Sequence, residues 1–192
     1  MIAIIKYNAG NILSVQNALN RLGYDSMITD CIADIQAADK VIFPGVGEAS
    51  SAMKYLKERK LDEVILAIKQ PFLGICLGLQ LMCKSTEEGS TKCLGIFDTE
   101  VKLFPPVEKV PNMGWNNFEN VNGELFEGVS TMDDLYYVHS YYAELCKDTI
   151  ATCKYVKPFS AALQKDNFYA TQFHPEKSAG IGALILNNFL KL

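Results

Sequence analysis

One short stretch near the middle of the chain constrains the fold more than any other: residues 71–88, with the sequence PFLGICLGLQLMCKSTEE. Its apolar start, Phe72 to Ile75, has the length and the flanks of a buried parallel strand. Leucines and Met82 then mix with polar residues in a pattern typical of a helix. A strand, a Gly-x-Cys-x-Gly turn and a helix in this order predict a nucleophile elbow, with Cys76 raised on a sharp turn at the strand end.

The two glycines of this turn have a steric explanation. The residues two before and two after Cys76 crowd each other in so sharp a turn, and Gly74 and Gly78 have no Cβ. The turn also sets Cys76 at a helix N-terminus, where the helix dipole favours the thiolate. The amide of Leu77 is then free to face a developing oxyanion. The alternative is a buried structural cysteine, and the partners of Cys76 decide between the two.

The first half of the chain alternates strand and helix patterns. Strand-like runs at 2–5, 24–28, 40–43 and 72–75 are separated by helical patterns that begin after Asn11, near Ala49 and at Leu61. Asn11 suits an N-cap and Gly23 suits a C-terminal stop. This order predicts an α/β fold, doubly wound, with a mostly parallel central sheet flanked by helices.

The second half has a different texture. After Gly89, short strand-like runs broken by turn residues predict an additional, partly antiparallel section, with strands at 135–138, 150–155, 160–164 and 168–173. Asn122-Gly123 predicts a hairpin turn, and residues 178–192 predict a closing helix. At 192 residues, we expect one domain over 1–192.

Charge and cysteine usage exclude several classes of function. The net charge of −4 does not indicate a nucleic-acid-binding protein. No apolar run reaches the roughly 18 residues of a membrane span, and the N-terminus has no basic leader. The six cysteines form no CxxC pair and the two histidines are far apart, so we expect no metal site and no cofactor. We therefore expect the cysteines to be reduced and the protein to be cytoplasmic.

A nucleophilic cysteine needs a base and a group that orients the base. The last strand-like run leads into His174-Pro175-Glu176. Residues two apart on an extended segment face the same way, so His174 and Glu176 can point into one cleft with Cys76. His139 is the rival base, and we expect it to be structural, beside a substrate-binding stretch.

These motifs together resemble the class I glutamine amidotransferases, over essentially the whole chain. GxCxGxQ and HPE are common to the class. PGVG at 44–47, MGWN at 113–116 and HPEKS at 174–178 are similar to the glutaminase subunit of imidazole glycerol phosphate synthase. The resemblance implies a Cys76, His174 and Glu176 triad that hydrolyses glutamine to glutamate and ammonia. It further implies an oxyanion hole at Gly45, Val46, Gly47 and Leu77, glutamine contacts at Gln80, Glu88, Ser140 and Tyr141, and partner contacts at Asn11, Trp115 and Lys177.

The partner implied by the resemblance is a (β/α)8 cyclase subunit, which forms a heterodimer and receives the ammonia for imidazole glycerol phosphate and AICAR formation in histidine biosynthesis. From sequence alone Trp115 fits a core aromatic as well as an interface residue. The first loop departs from the family: Lys6-Tyr7-Asn8 replaces the usual Asp-Tyr-Gly. That departure keeps open a paralogous glutaminase that feeds a surface-sugar amidotransferase.

Two other interpretations disagree with particular residues. A stand-alone cysteine hydrolase or peptidase would not explain Gln80 and Glu88, which suit a glutamine pocket. A catalytically silent binding protein would have no chemical reason to hold Cys76, His174 and Glu176 together.

Overall fold

The computed structural model describes residues 1–7 and 10–192, so Asn8 and Ala9 of the predicted first loop lie outside the described residues. Among the described helices, none has the length and apolar character of a membrane span. The elements within this range are β1 (Ile2–Ile5), α1 (Ile12–Arg21), β2 (Ser26–Thr29), α2 (Ile32–Ala37), β3 (Lys40–Gly45), α3 (Ala49–Glu58), α4 (Leu61–Ala67), β4 (Phe72–Cys76), α5 (Leu77–Met82), β5 (Ser85–Thr86), β6 (Thr91–Lys92), β7 (Glu100–Leu103), β8 (Asn112–Asn116), β9 (Asn120–Val121), β10 (Leu135–His139), β11 (Tyr141–Ala143), β12 (Thr149–Tyr155), β13 (Lys157–Lys165), β14 (Phe168–Thr171) and α6 (Ala179–Lys191), with 3-10 turns at Glu88–Ser90, Glu124–Phe126 and Pro175–Lys177.

Eight of these strands form one central sheet in the order β2-β1-β3-β4-β14-β13-β12-β9. The five strands from β2 to β14 are parallel, whereas β13, β12 and β9 run antiparallel to their neighbours. Two small sheets, β10-β8 and β11-β7-β5-β6, are built from the segment between α5 and β12. The predicted α/β fold with a partly antiparallel section is therefore confirmed.

Hydrophobic cores lie on both faces of the central sheet. Phe72 of β4 belongs to a core shared with Leu56 of α3 and Ile65 of α4. The next residue, Leu73, belongs to the opposite core, shared with Leu19 of α1 and Phe189 of α6. Successive strand residues face opposite sides of a sheet, and each fully buried side chain of this size contributes about 1.5–3 kcal/mol. The helices are thus packed on both faces of the sheet, and the carboxyl end of the central strand β4 remains uncovered by them.

Three local predictions differ from the structure. Helix α2 was not anticipated, because Ile35 is its only buried residue and its sequence carries little periodicity. Asn11 occupies the N-cap position of α1, but its side chain makes no capping hydrogen bond. Asn122-Gly123 does not form a hairpin: Gly123, at φ 90°, leads into a 3-10 turn, and β9 pairs with β12 instead.

Candidate active site

Cys76 lies on a strained turn between β4 and α5. Its φ of 56° and ψ of −107° are unusual for a residue with a side chain. A Cβ on Gly78 would lie 2.0 Å from the carbonyl oxygen of Phe43, and one on Gly74 would lie 3.0 Å from the carbonyl carbon of Gly78. A side chain at 78 is therefore excluded and one at 74 would force the turn to shift, and the turn sets the Cys76 thiol above the sheet.

His174 and Glu176 form a buried pair at the end of the neighbouring strand β14. The Nδ1 atom of His174 lies 2.8 Å from Oε1 of Glu176, and both side chains are inaccessible to solvent. The geometry differs from the extended segment predicted: Pro175 starts a 3-10 turn, and Glu176 lies inside that turn. Nε2 of His174 has no hydrogen-bond partner among the described residues, and it is the ring nitrogen left for the thiol.

The charges of this group depend on one another. Burial disfavours an imidazolium, but the neighbouring Cys76 and then Glu176 outweigh it and raise the pKa of His174 to about 10. Burial likewise disfavours the Glu176 carboxylate, yet the hydrogen bonds from His174 and Asn11 hold the pKa of Glu176 below its ordinary value. The arrangement stabilises an imidazolium between a thiolate and a carboxylate, which are the charge states needed for attack by sulfur.

Asn11 supports this carboxylate from the first loop. Its Nδ2 donates a hydrogen bond of 3.0 Å to Oε1 of Glu176, and its side chain is buried. Oε1 of Glu176 thus accepts from both Asn11 and His174. This contact explains why Asn11 does not cap α1, and the predicted partner contact of Asn11 stays a prediction.

The backbone around His174 is fixed to β10. The amide of His174 donates to the carbonyl of Tyr136 at 2.9 Å, and the amide of Tyr136 donates to Oγ of Ser178 at 3.0 Å. Ser178 in turn donates to the carbonyl of His174 at 2.6 Å. A displacement of Tyr136 would therefore move the turn that carries His174 and Glu176.

A cavity of about 270 Å³ opens beside Cys76. All four predicted glutamine contacts line it, together with three of the four predicted oxyanion residues. Glu88 has its Oε2 2.8 Å from the amide of Ala49 at the start of α3, and burial raises the pKa of Glu88 above its ordinary value. The predicted residues along the cavity are Val46, Gly47, Cys76, Leu77, Gln80, Glu88, Ser140 and Tyr141.

The predicted oxyanion strand lies directly against the elbow. Gly45, the last residue of β3, is paired with Cys76. A Cβ on Gly45 would lie 2.0 Å from the hydroxyl of Tyr7 and 2.8 Å from Cβ of Leu77. The Tyr7 hydroxyl is buried, with no hydrogen-bond partner among the described residues, and burial together with the nearby Cys76 raises the pKa of Tyr7 well above its ordinary value. Gly47 follows at φ 131°, a conformation that favours glycine.

Two glutamine amides form a chain from the cavity wall to the thiol. Nε2 of Gln80 donates to the carbonyl of Tyr141 at 2.9 Å and to Oε1 of Gln172 at 3.1 Å. Nε2 of Gln172 lies 3.7 Å from Sγ of Cys76. Gln80 thus lines the cavity as predicted, but both of its N–H donors bind protein groups.

His139 is near the site but is held in a structural role. Its Nδ1 lies 2.8 Å from the carbonyl of Tyr141, and its Nε2 lies 3.1 Å from Nδ2 of Asn112. A carbonyl can only accept, so Nδ1 carries the proton and Nε2 accepts from Asn112. Burial lowers the pKa of His139 to about 4, so the ring is neutral at pH 7. Among the described residues, no group of three or more His, Cys, Asp or Glu has the arrangement of a metal site.

Trp115 and Lys177 lie on an exposed face next to the site. Trp115 is 55% exposed, which excludes the core alternative, and its ring meets that of Tyr136 at 5.8 Å. Nζ of Lys177 lies 5.9 Å from the centre of the same Tyr136 ring. Met113 is exposed two residues before Trp115 on β8. We call Met113, Trp115, Tyr136 and Lys177 the β8–β10 face.

Sequence reasoning did not assign three residues of this neighbourhood. Gln172, Tyr136 and Tyr7 contact the thiol, the backbone of His174 and Gly45, respectively. The position of Gln172, two residues before His174, was the one usable signal, because it directly follows β14, the strand that leads to the base. Tyr136 and Tyr7 appear in sequence as ordinary strand-end aromatics.

Comparison with known proteins identifies the family of the chain. The family model described as "Glutamine amidotransferase class-I" matches residues 4–192. Two solved structures resemble the fold at a TM-score of 0.75: a putative GMP synthase protein from Thermoplasma acidophilum, with 20% identity over 100% of this chain and 92% of that one, and a glutamine amidotransferase, with 16% identity over 100% and 98%. The chain belongs to the class I glutamine amidotransferases.

Several curated relatives within this family share one subunit name. A protein of Bacteroides fragilis strain YCH46 named "Imidazole glycerol phosphate synthase subunit HisH" is 56% identical over 100% of this chain and 99% of its own length. A protein of Bacteroides thetaiotaomicron with the same name is 55% identical over the same shares. One of Shewanella loihica, also so named, is 45% identical over 98% of this chain and 89% of its own.

Proposed function

We propose that this chain is the glutaminase subunit of an imidazole glycerol phosphate synthase, with residues 1–192 acting as one domain. The observation that carries the proposal is the buried His174–Glu176 pair beside Cys76 on its strained turn. The relatives with 55–56% identity over the whole chain, which bear that enzyme's name, support the choice of subunit.

The reaction proceeds through a thioester. The Cys76 thiolate attacks the side-chain carboxamide carbon of glutamine, and the carbonyl oxygen becomes an oxyanion. His174, as imidazolium, protonates the departing amine, so ammonia leaves and a γ-glutamyl thioester remains on sulfur. His174 then takes a proton from water, the hydroxide cleaves the thioester, and glutamate leaves with the thiolate restored. Glu176, bound to Nδ1, holds the ring orientation throughout.

Glutamine occupies the cavity beside Cys76. Its α-ammonium and α-carboxylate need opposite partners: Glu88 offers a carboxylate, whereas Ser140 and Tyr141, which also line the cavity, offer donors. The oxyanion meets the amides of Leu77 and of the segment Gly45, Val46 and Gly47. Such donors are each worth about 10²–10³ in kcat. The glycines at 45 and 47 make reorientation of this strand sterically inexpensive, so its orientation is a point of control.

The proposed partner is a (β/α)8 cyclase subunit, bound as a heterodimer through the β8–β10 face. Trp115 and Met113 are exposed there, and Trp is enriched at binding hot spots. Tyr136 of this face is bonded to the backbone of His174, so partner binding has a direct mechanical route to the triad. Ammonia released inside a sealed interface is kept from protonation in bulk water. Asn11, which is buried against Glu176, is a further proposed partner contact.

A second acceptor is kept because of one residue. Lys6 is exposed in the first loop, where the family has Asp, and a changed loop suits a changed partner, such as a sugar-modifying amidotransferase. We place the enzyme in the cytoplasm, where a nucleophilic thiol such as Cys76 stays reduced.

The test is glutamine hydrolysis with the purified cyclase, with and without the cyclase's nucleotide ligand. We expect strong activation by partner and ligand, its loss in Cys76→Ala, and retention in Cys31→Ala, which changes an exposed cysteine outside the site. Trp115→Ala should weaken partner binding without changing the alkylation of Cys76. Full activity without any partner, or activity that survives Cys76→Ala, would contradict the proposal. If the chain does not rescue a histidine auxotroph, although Cys76 still reacts with an alkylating reagent in the absence of a partner, the sugar-pathway alternative is favoured.

A further inference from the structure

The side chain of Gln172 has no role in the chemistry described so far, although it is the polar group at the end of β14 that contacts the nucleophile. It is fully buried, and its amide donates toward Sγ of Cys76 at 3.7 Å. A buried amide N–H without a partner costs about 1–3 kcal/mol, so the contact of this N–H with the sulfur satisfies a donor and is more than packing.

The hydrogen bonds fix which end of the Gln172 amide faces the sulfur. The carbonyl of Tyr141 can only accept, so the atom of Gln80 that lies 2.9 Å from it is the NH₂ group. The second hydrogen of that group is then directed at Gln172, 3.1 Å away, and the atom of Gln172 that receives it is the carbonyl oxygen. The NH₂ end of Gln172 is left for Sγ of Cys76.

We propose that Gln172 is a further catalytic residue, which donates an N–H to the sulfur of Cys76 and stabilises its negative charge, and that Gln80 is the positioning residue that holds the Gln172 amide in this orientation. The proposal rests on the proposed role of Cys76 as nucleophile. It also gives Gln80 a task other than contact with glutamine: the same amide ties the thiol to Tyr141 on the cavity wall.

The relay has a consequence for substrate binding. Tyr141 lines the cavity, so a ligand that shifts its carbonyl also changes the orientation of the Gln80 amide and, through it, of Gln172. A hydrogen bond to a charged group is worth more than one to a neutral group. The Gln172 bond therefore favours the thiolate before attack and after the thioester is cleaved.

The experiment measures the alkylation rate of Cys76 by iodoacetamide, resolved by peptide mass spectrometry because the chain has six cysteines. Gln172→Leu removes the donor, and we expect a rate about tenfold lower. Gln172→Glu, which sets a second negative charge beside the sulfur, should lower the rate further. Gln80→Leu, which only frees the amide to rotate, should give a smaller decrease.

Gln70→Leu is the matched control. Gln70 donates from Nε2 to the carbonyl of Ile35 at 2.9 Å, at the opposite end of β4 from Cys76. This variant loses a partly buried amide bond and should leave the alkylation rate unchanged. If Gln172→Leu does not fold, Gln172→Asn retains the amide but withdraws it from the sulfur, and the same decrease is expected.

Kinetics with the partner separate this proposal from the one it rests on. We expect kcat of Gln172→Leu to fall about tenfold with KM nearly unchanged, because the bond is to the nucleophile and not to glutamine. An unchanged alkylation rate in both Gln172→Leu and Gln172→Asn, with activity still dependent on Cys76, would overturn the role of Gln172 alone. Activity that survives Cys76→Ala would overturn the nucleophile, whatever the alkylation rates are.

Discussion

Two glycines in the same helix provide a sharp test of how α6 positions the triad. A Cβ on Gly182 would lie 1.9 Å from the carbonyl oxygen of Pro175 and 2.8 Å from its carbon, whereas a Cβ on Gly180 meets no atom of the described residues within 4 Å. Pro175 lies between His174 and Glu176 in the 3-10 turn. We predict that Gly182→Ala displaces this turn and that Gly180→Ala does not.

The magnitudes follow from the contacts. Each substitution gains up to about 1 kcal/mol from the greater helix propensity of Ala. Only Gly182→Ala introduces the clash, and relief of such overpacking costs about 1–3 kcal/mol. The difference between the two variants, about 1–3 kcal/mol in free energy of unfolding, isolates the close approach of position 182 to Pro175 and to Cβ of Ser178, which would be 2.8 Å away. A displacement near 1 Å at His174 lowers kcat on the order of a hundredfold.

The assay compares urea unfolding and partner-stimulated glutaminase activity for the two variants side by side. Gly180→Ala should be at least as stable as the natural chain and fully active. Gly182→Ala should be less stable than Gly180→Ala and should lose most of its kcat. Equal stability and equal activity of the two variants would refute the idea that close approach of α6 holds the His174–Glu176 turn in place.

Three further predictions concern single side chains. Asn11→Ala removes the 3.0 Å hydrogen bond to Glu176 and should lower kcat about tenfold while KM for glutamine stays the same; an unchanged kcat would contradict a supporting role for Asn11. Cys76→Ala should lower the pKa of His174 from about 10, because the thiolate that favours imidazolium is gone; NMR can follow this, since the chain has two histidines, and an unmoved His174 titration would contradict the charge coupling. The pKa of His139 is about 4 in the folded chain and 6.5 in the unfolded chain, so the unfolded chain binds an extra proton between these pH values. The free energy of unfolding therefore falls by about 3 kcal/mol as the pH drops from 6.5 to about 4. His139→Gln should lose that part of the pH dependence of unfolding, and an equal pH dependence in both proteins would show that His139 titrates normally.

The central fold was predictable because its signals are local. Buried strands such as Phe72–Cys76 appear as continuous apolar runs, and the alternation with helices predicts parallel pairing. Helix α2 gave no such signal, since a single buried side chain, Ile35, anchors it. In the two small sheets, β10 was predicted at 135–138, but two-residue strands such as Ser85–Thr86 were missed, because they are defined by their partners and not by their own sequence.

The parts of the site whose residues lie close together in the sequence were predictable. The elbow around Cys76 follows from glycine sterics, and His174 and Glu176 lie two residues apart. Asn11 shows the limit: as a residue just before a helix it suggested a cap, but Glu176, 165 positions away, receives its amide. No spacing rule relates residues at that separation, so only the folded chain connects them.

Under the proposed mechanism, the contacts around Cys76, His174 and Glu176 predict control from three directions and not by one switch. The β8–β10 face reaches His174 through the backbone of Tyr136, the first loop reaches Glu176 through Asn11, and the cavity wall reaches the thiol through two glutamine amides. Each route ends on a different member of the triad. A partner and a substrate that act on separate members are expected to act more than additively, because attack requires the thiol, the ring and the carboxylate to be aligned at the same time. Double variants that combine Gln172→Leu with Asn11→Ala provide the measurement, and losses in kcat that simply multiply would mean that the two routes are independent.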